Sequence, residues 1–114
     1  MKIFLTTTAF ALMASTAMAD TITLYTSQPN ADAQQTVDAF EAANPGTEVE
    51  WVRDGTTKLM ARLRAEIEAG NPQPDVLLIA DTVTLEGMAQ EGLLTAYQSP
   101  EAANHDAALY SAEG

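Results

Sequence analysis

Three strand-like runs, separated by two long helical patterns, leave this chain few ways to fold. The runs are Thr21-Ile-Thr-Leu-Tyr-Thr-Ser27, Thr47-Glu-Val-Glu-Trp-Val52 and Val76-Leu-Leu-Ile79. The first is rich in β-branched and aromatic residues and alternates Ile22 and Leu24 against Thr21, Thr23 and Tyr25. The second sets Val49 and Trp51 against Glu48 and Glu50, and its charged face predicts a place near the sheet edge. The third does not alternate, and a continuous apolar run suits a strand covered on both faces. Parallel strands need crossover connections of a dozen or more residues, and such crossovers are right-handed. The order β-α-β-α-β-α therefore predicts an α/β fold with a parallel sheet.

The helical patterns carry their own start and stop signals. Asn30 or Asp32 is placed to cap a helix with Ala33, Val37, Phe40 and Ala43 on one face, and Asn44-Pro45-Gly46 ends it. Gly55 turns the chain into a second helix, with Thr56 or Thr57 as N-cap and Leu59, Met60, Leu63 and Ile67 at helical spacing. That helix is expected to run to Glu68 or Ala69 and to end at Gly70, before the rigid connector Asn71-Pro72-Gln73-Pro74. Asp81 or Thr82 caps a third helix with Leu85, Met88 and Ala89 on its apolar face. Gly92 stands at its C′ position, and Leu93 supplies the usual hydrophobic contact after such an end. From Gln98 to Gly114 no period stands out. Three strands and a featureless tail leave the sheet incomplete, so the chain is expected to be the opening part of a longer protein.

Residues 1–19 have the pattern of a secretory signal peptide. Lys2 supplies a positive start, Ile3 to Ala14 is mostly apolar, and Ala17-Met18-Ala19 forms a small-x-small cleavage site before Asp20. The stretch is too short for a stable membrane span. Export would leave residues 20–114 as the mature piece, and would take Lys2 away from a chain with five Lys and Arg, 16 Asp and Glu and a net charge of −11. Such an acidic balance argues against nucleic acid or an anionic membrane as partner. The chain has no Cys, which excludes disulfides, thiolate zinc sites and a Cys lipid anchor.

Ligands of open parallel sheets bind outside the carboxyl ends of the strands. Three segments fall there: Ser27-Gln28-Pro29-Asn30, Asp54-Gly55-Thr56-Thr57 and Ala80-Asp81-Thr82. Each is polar and leads into a helix N-terminus, whose unpaired N–H groups attract anions. Such residues are also ordinary caps, and the Gly55 turn taken alone is an ordinary βα turn. The basic residues sharpen the reading: Arg53, Lys58, Arg62 and Arg64 crowd around one helix start in an otherwise acidic chain. A cation in the first turn opposes the helix dipole, so Lys58 is better explained by an anion than by helix stability. The simpler account of Arg62 and Arg64 is a solvated face pairing with Glu66 and Glu68. Catalytic sets are thin. His105 stands alone in the tail, no Ser-His-Asp set can be assembled, and Asp75 and Asp81 are too general a pattern to name a metal site. Pro74-Asp-Val-Leu-Leu-Ile-Ala-Asp81 resembles the phosphorylated strand of receiver domains, but no acidic pair follows the first strand.

The order of several segments is more specific. A leader, Ile22-Thr-Leu-Tyr-Thr-Ser27, a helix with Phe40-Glu41, and Asn44-Pro-Gly-Thr-Glu-Val49 come first. Gly55-Thr-Thr-Lys-Leu-Met-Ala-Arg-Leu63-Arg-Ala-Glu66, Pro74-Asp-Val-Leu-Leu78 and Glu91-Gly-Leu-Leu94 follow. Together they resemble periplasmic solute-binding proteins of ABC importers, in the extracellular family that includes ferric-ion and 2-aminoethylphosphonate binders. The resemblance implies a type II periplasmic-binding-protein-like fold, of which this chain holds the opening β-α-β-α-β-α part of lobe 1. It implies a non-catalytic periplasmic protein, monomeric at full length, that closes two lobes on a solute and delivers it to an inner-membrane permease.

Carried over position by position, the implied ligand contacts are Ser27, Gln28, Gly55, Thr56, Thr57, Asp81 and Thr82. Relatives that bind phosphonates or phosphate esters often have Gly-Ser-Gly-like residues where this chain has Gly55-Thr56-Thr57. The two Thr keep the hydroxyls and lose a Gly. The expected solute is a small anion such as a phosphonate or phosphate ester, or ferric ion with a synergistic anion. Ferric ion would then be cargo, with no resident cofactor. A polyamine or sugar binder of the same fold is the nearest alternative, and the basic cluster disfavours a polyamine. A secreted α/β hydrolytic enzyme using Asp81 is more remote. Residues 20–114 alone are expected to bind weakly or not at all, and micromolar binding by that piece in calorimetry would contradict the two-lobe expectation.

Overall fold

Strand β1 (Asp20–Thr26) lies at the centre of a three-stranded sheet ordered β2-β1-β3, with β2 (Thr47–Arg53) and β3 (Val76–Leu78) parallel to it on either side. The structure, a computed structural model, describes residues 19–112. The leader pattern, apart from Ala19, falls outside the described residues. Helices α1 (Asn30–Ala43), α2 (Thr56–Glu68) and α3 (Thr82–Gln90) alternate with the strands, and two short 3₁₀ turns, Pro100–Asn104 and Ala107–Leu109, follow. The parallel α/β architecture is the one the alternating pattern predicts.

The strand order explains the layering. From β1 the chain crosses to one neighbour and from β2 it returns past β1 to the other, so two right-handed crossovers put α1 and α2 on opposite faces. Leu24 and Ile22 accordingly share one face with Val37 and Phe40 of α1. Tyr25, one residue on, meets α2 on the other face, as the two-residue period of a strand requires. Leu24, Tyr25, Ala33, Val37, Leu59, Leu63 and Met88 form the buried apolar core.

Tyr25 is fully buried, and a buried phenol must find a hydrogen-bond partner. Its hydroxyl donates to Glu66 Oε1 at 2.6 Å. The same oxygen accepts from Arg62 Nε at 2.8 Å, and Glu66 Oε2 accepts the Gln73 N–H at 3.2 Å. The Arg62 guanidinium lies over the Tyr25 ring, 5.0 Å from its centroid. Burial pushes the Glu66 carboxyl up, but donation from Tyr25, Arg62 and Gln73 outweighs it and holds the group below its ordinary value. Burial, then the Glu66 contact, pushes the Tyr25 phenol up.

Two helix ends match their sequence signals. Gly70 and Gly92 take positive φ, 72° and 71°. In α2, Gly70 N–H bonds Ile67 O while Asn71 N–H bonds Glu66 O; in α3, Gly92 N–H bonds Ala89 O while Leu93 N–H bonds Met88 O. Both are Schellman ends. The charged edge expected of β2 is also present: its Val49 N–H is taken by the Glu41 carboxylate at 2.7 Å, which blunts the open strand edge.

Three local expectations are corrected. Neither Asn30 nor Asp32 caps α1, which begins at Asn30 after Pro29 with no side-chain cap. Neither Thr56 nor Thr57 caps α2, because both lie inside it, with Gly55 at the N-cap and no side-chain cap. Strand β3 is not covered on both faces among the described residues: it is an edge strand, with Val76 47% and Leu78 38% exposed. Its apolar run reports what the strand could bury and not what stands over it.

Leu59→Ala removes a side chain that is 1% exposed and is expected to cost about 3 kcal/mol in urea unfolding. The Glu66 contact also sets an acid limb. A carboxylate with a lowered folded-state pKa contributes fully above its unfolded value and loses that contribution as pH falls through the folded one. Thermal melts of the wild type should therefore fall on acidification below the ordinary carboxylate value of 4.5. Glu66→Gln should start less stable at neutral pH and show a shallower acid slope; equal slopes would refute the assignment.

Candidate functional site

The carboxyl ends of the three strands bring together the loops that lead into the three helices. The loop after β2 is shaped first by Asp54. Its N–H bonds Thr26 O of β1 at 3.3 Å, and its side chain accepts the Gly55 N–H at 2.7 Å. Gly55 has extended φ and ψ of −63° and 147° and contributes no side chain. Helix α2 therefore starts with Thr56 and Thr57 in its first turn and no side chain folded back over its amide groups.

The loop after β3 ends differently. Asp81 is the N-cap of α3, as expected: its Oδ1 accepts the Thr84 N–H at 3.3 Å, and Oδ2 accepts the Thr84 hydroxyl. The Thr84 hydroxyl first, and then its N–H, hold the Asp81 carboxyl below its ordinary value, so the group is anionic at neutral pH. Thr82, the other capping candidate, is the first residue of the helix and is exposed.

Between these two helix starts lies a cleft of about 370 Å³, lined by Thr56, Thr57, Met60, Arg64, Asp81, Val83, Thr84 and Gly87. Three of the seven residues expected from sequence, Thr56, Thr57 and Asp81, meet there. Ser27 and Gln28 line a neighbouring hollow of about 250 Å³ with Pro29, Leu78, Ile79 and Ala80. That hollow sits between the ends of β1 and β3, whose following connections lead to opposite faces, the crevice where open α/β sheets bind ligands. Gly55 and Thr82 line neither space.

The internal bonds of the hollow are specific. Ser27 N–H donates to Leu78 O at 3.0 Å, and Ser27 Oγ accepts the Ala80 N–H at 3.0 Å. The Gln28 side chain accepts from the Thr36 hydroxyl at 3.3 Å, and Gln28 O accepts from Arg53 Nε at 2.9 Å.

The basic cluster separates once the chain is folded. Lys58 faces Asp54 at 3.7 Å, a local partner that explains a cation in the first turn without an anion. Arg62 belongs to Glu66 and Tyr25, and Arg53 to the Gln28 carbonyl. Arg64 alone of the four lines the cleft, and it makes a two-pronged pair with Glu91 at 2.8 Å on each arm. Both partners are about half exposed, so the guanidinium is accessible from the cleft. The sequence places Arg64 on a solvated helix face and Met60 in the apolar set of α2, and carries no site signal at Gly87. The Asp81-x-x-Thr84 spacing was the available signal for Thr84, since an N-cap side chain reaches the residue three positions on.

Chemically, the cleft offers the Thr56 and Thr57 hydroxyls, a guanidinium, one carboxylate and the start of α2, while the Thr84 hydroxyl donates to that carboxylate. It offers hydrogen-bond donors for an anionic group and one acceptor for a ligand's own donor. Among the described residues no group of three His, Asp or Glu side chains is placed to hold a metal ion, and no helix is long and apolar enough to cross a membrane.

No curated protein matches the chain. The model of one family, described as bacterial extracellular solute-binding protein, matches residues 25–110, well over half of the chain. The match begins in the central strand and runs through all three helix starts that surround the cleft and the hollow. The chain belongs to the bacterial extracellular solute-binding proteins, a family that works outside the cytoplasm, captures small solutes and delivers them to an ABC permease.

Proposed function

We propose that this protein captures a small organic anion, a phosphonate or phosphate ester, in the cleft between the starts of α2 and α3, and hands it to an inner-membrane ABC permease. One observation carries the reading: α2 begins without a side-chain cap, and its first turn opens on the cleft that also holds Arg64 and the Thr56 and Thr57 hydroxyls. Uncapped first-turn N–H groups and a positive dipole end suit a phosphoryl or phosphonyl oxygen. Arg64 adds positive charge and the N–H hydrogens that its two-pronged pair with Glu91 leaves over. Asp81 supports a ligand that carries a donor as well as an anionic head, because a carboxylate retains acceptor capacity after taking two bonds. Ferric ion with a synergistic anion is the other variant of the same reading, in which the cleft would hold the anion. The proposed ligand contacts are Thr56, Thr57, Asp81 and Arg64; Ser27 and Gln28 line the adjoining hollow, and Gly55 and Thr82 are backbone neighbours. Nothing in the role calls for a resident cofactor or a catalytic group.

A thermal-shift screen of the intact protein against phosphonates, sugar phosphates, ferric citrate, neutral sugars and polyamines reads out the ligand class, since a ligand that binds only the folded state raises the melting temperature. Organic phosphonates or phosphate esters are expected to give the largest shifts; a polyamine or a neutral sugar giving the largest would overturn the anion reading. Thr57→Ala and Arg64→Ala should each reduce the anion-induced shift. Arg64→Ala should leave the ligand-free melting temperature nearly unchanged, because an exposed ion pair contributes little. An undiminished anion-induced shift in both variants would place the ligand elsewhere.

A further inference from the structure

The pairing of β1 with β3 ends at Thr26 and Leu78, and beyond that point the two chains diverge toward opposite faces of the sheet. Ser27 extends the pairing by one more step on each side. Its N–H donates to Leu78 O, and its hydroxyl oxygen, standing where a strand carbonyl would, accepts the Ala80 N–H at 3.0 Å. The next residue after Ala80 is Asp81, which caps α3 and lines the cleft. A single side chain thus fastens the end of the central strand to the loop that sets the start of α3.

We infer that Ser27 is a positioning residue, which fixes the Ala80-Asp81 segment through its oxygen and so sets the placement of the α3 start in the cleft. It works through Ala80, in contrast to the direct ligand contact that sequence position alone suggested. The cleft's role as a solute site rests on the function proposed above, but the fastening itself does not. Thr26 contributes to the same corner: its buried hydroxyl oxygen accepts the Gln28 N–H at 3.2 Å, which turns the chain away after Ser27. The Gln28 acceptors, its side-chain and backbone oxygens, are taken by Thr36 and Arg53, which leaves the Ala80 amide to Ser27. The oxygen at position 27 holds the exposed Ala80 amide in place, because without it that amide turns to water and its segment loosens.

Amide hydrogen exchange on the intact protein, with Ser27→Ala and Ser27→Thr compared with the wild type, tests this directly. In Ser27→Ala the Ala80 and Thr84 amides should exchange about tenfold faster, while amides of the β1–β2 ladder keep their protection. Ser27→Thr, which retains the oxygen, should restore both amides. Affinity for inorganic phosphate, measured by calorimetry well below the melting temperature, should follow the same order, weaker by about fivefold in Ser27→Ala and recovered in Ser27→Thr. Unchanged Ala80 exchange in Ser27→Ala overturns the inference, as does a phosphate loss with Ala80 and Thr84 exchange unaltered, which marks direct contact. Faster exchange spread equally over all three strands also overturns it, because that pattern is global destabilisation. If the wild type binds no phosphate, the anion reading loses its support while the exchange results still judge Ser27.

Discussion

The buried hydroxyl of Tyr25 is the constraint on which the arrangement turns. A phenol with no solvent access cannot be left without a partner, and the partner here is a carboxylate that must itself be compensated. Glu66 meets that demand by accepting from three donors that come from β1, from α2 itself and from the connector to β3. One polar cluster therefore joins three separate parts of the chain. It fixes how α2 is rotated on the sheet, and Leu59 and Leu63 complete the seat with apolar contact. A helix is stiff over this length, about 15 Å from Glu66 back to Thr56 at the helical rise. The contact at its far end thus governs where its first turn points.

That first turn and the start of α3 are built on different terms. Asp81 satisfies the first amides of α3 internally, so that helix start is closed by its own chain. In α2 the cap position is Gly55, and the nearby carboxylate of Asp54 is spent on the Gly55 N–H and on Lys58. The two helix starts face a common cleft with opposite electrostatic character, one open to an acceptor and the other carrying an anionic side chain. Beside the cleft, Ser27 bridges the two loops that separate at the strand reversal, so the crevice of the fold is tied by a side chain where its backbone pairing ends.

Much of this was legible in the residues. The strand character of Thr21–Ser27, the capping position of Asp81 and the helix ends at Gly70 and Gly92 all follow from rules that act over a few neighbouring residues, and the structure agrees with each. The alternation within that strand does not hold, because helices cover both faces and Tyr25, set with the polar residues by its period, is fully buried. The expectations that needed revision share a different cause. Thr56 and Thr57 were suitable caps by chemistry, but helix geometry starts one residue earlier, at Gly55. The cluster of four cations looked like one site because the residues are close in sequence. In the folded chain each turns to a different oxygen, on Asp54, Glu66, Glu91 or Gln28. Val76 and Leu78 were apolar enough for burial, yet β3 stands at an edge.

The sequence by itself determined the kind of elements, their order and the parallel sense of the sheet, because hydrophobic period, turn chemistry and connection length are local properties that few folds can satisfy together. It also brought the strand-end loops into view as the place for a ligand. Only the tertiary structure decided which loop residues share one cleft, that Arg64 and no other cation of the cluster lines it, and that Ser27 is bonded to Ala80. Those outcomes depend on contacts between residues up to 53 positions apart, and such contacts are set by the rotation of each helix on the sheet, which no short-range pattern encodes.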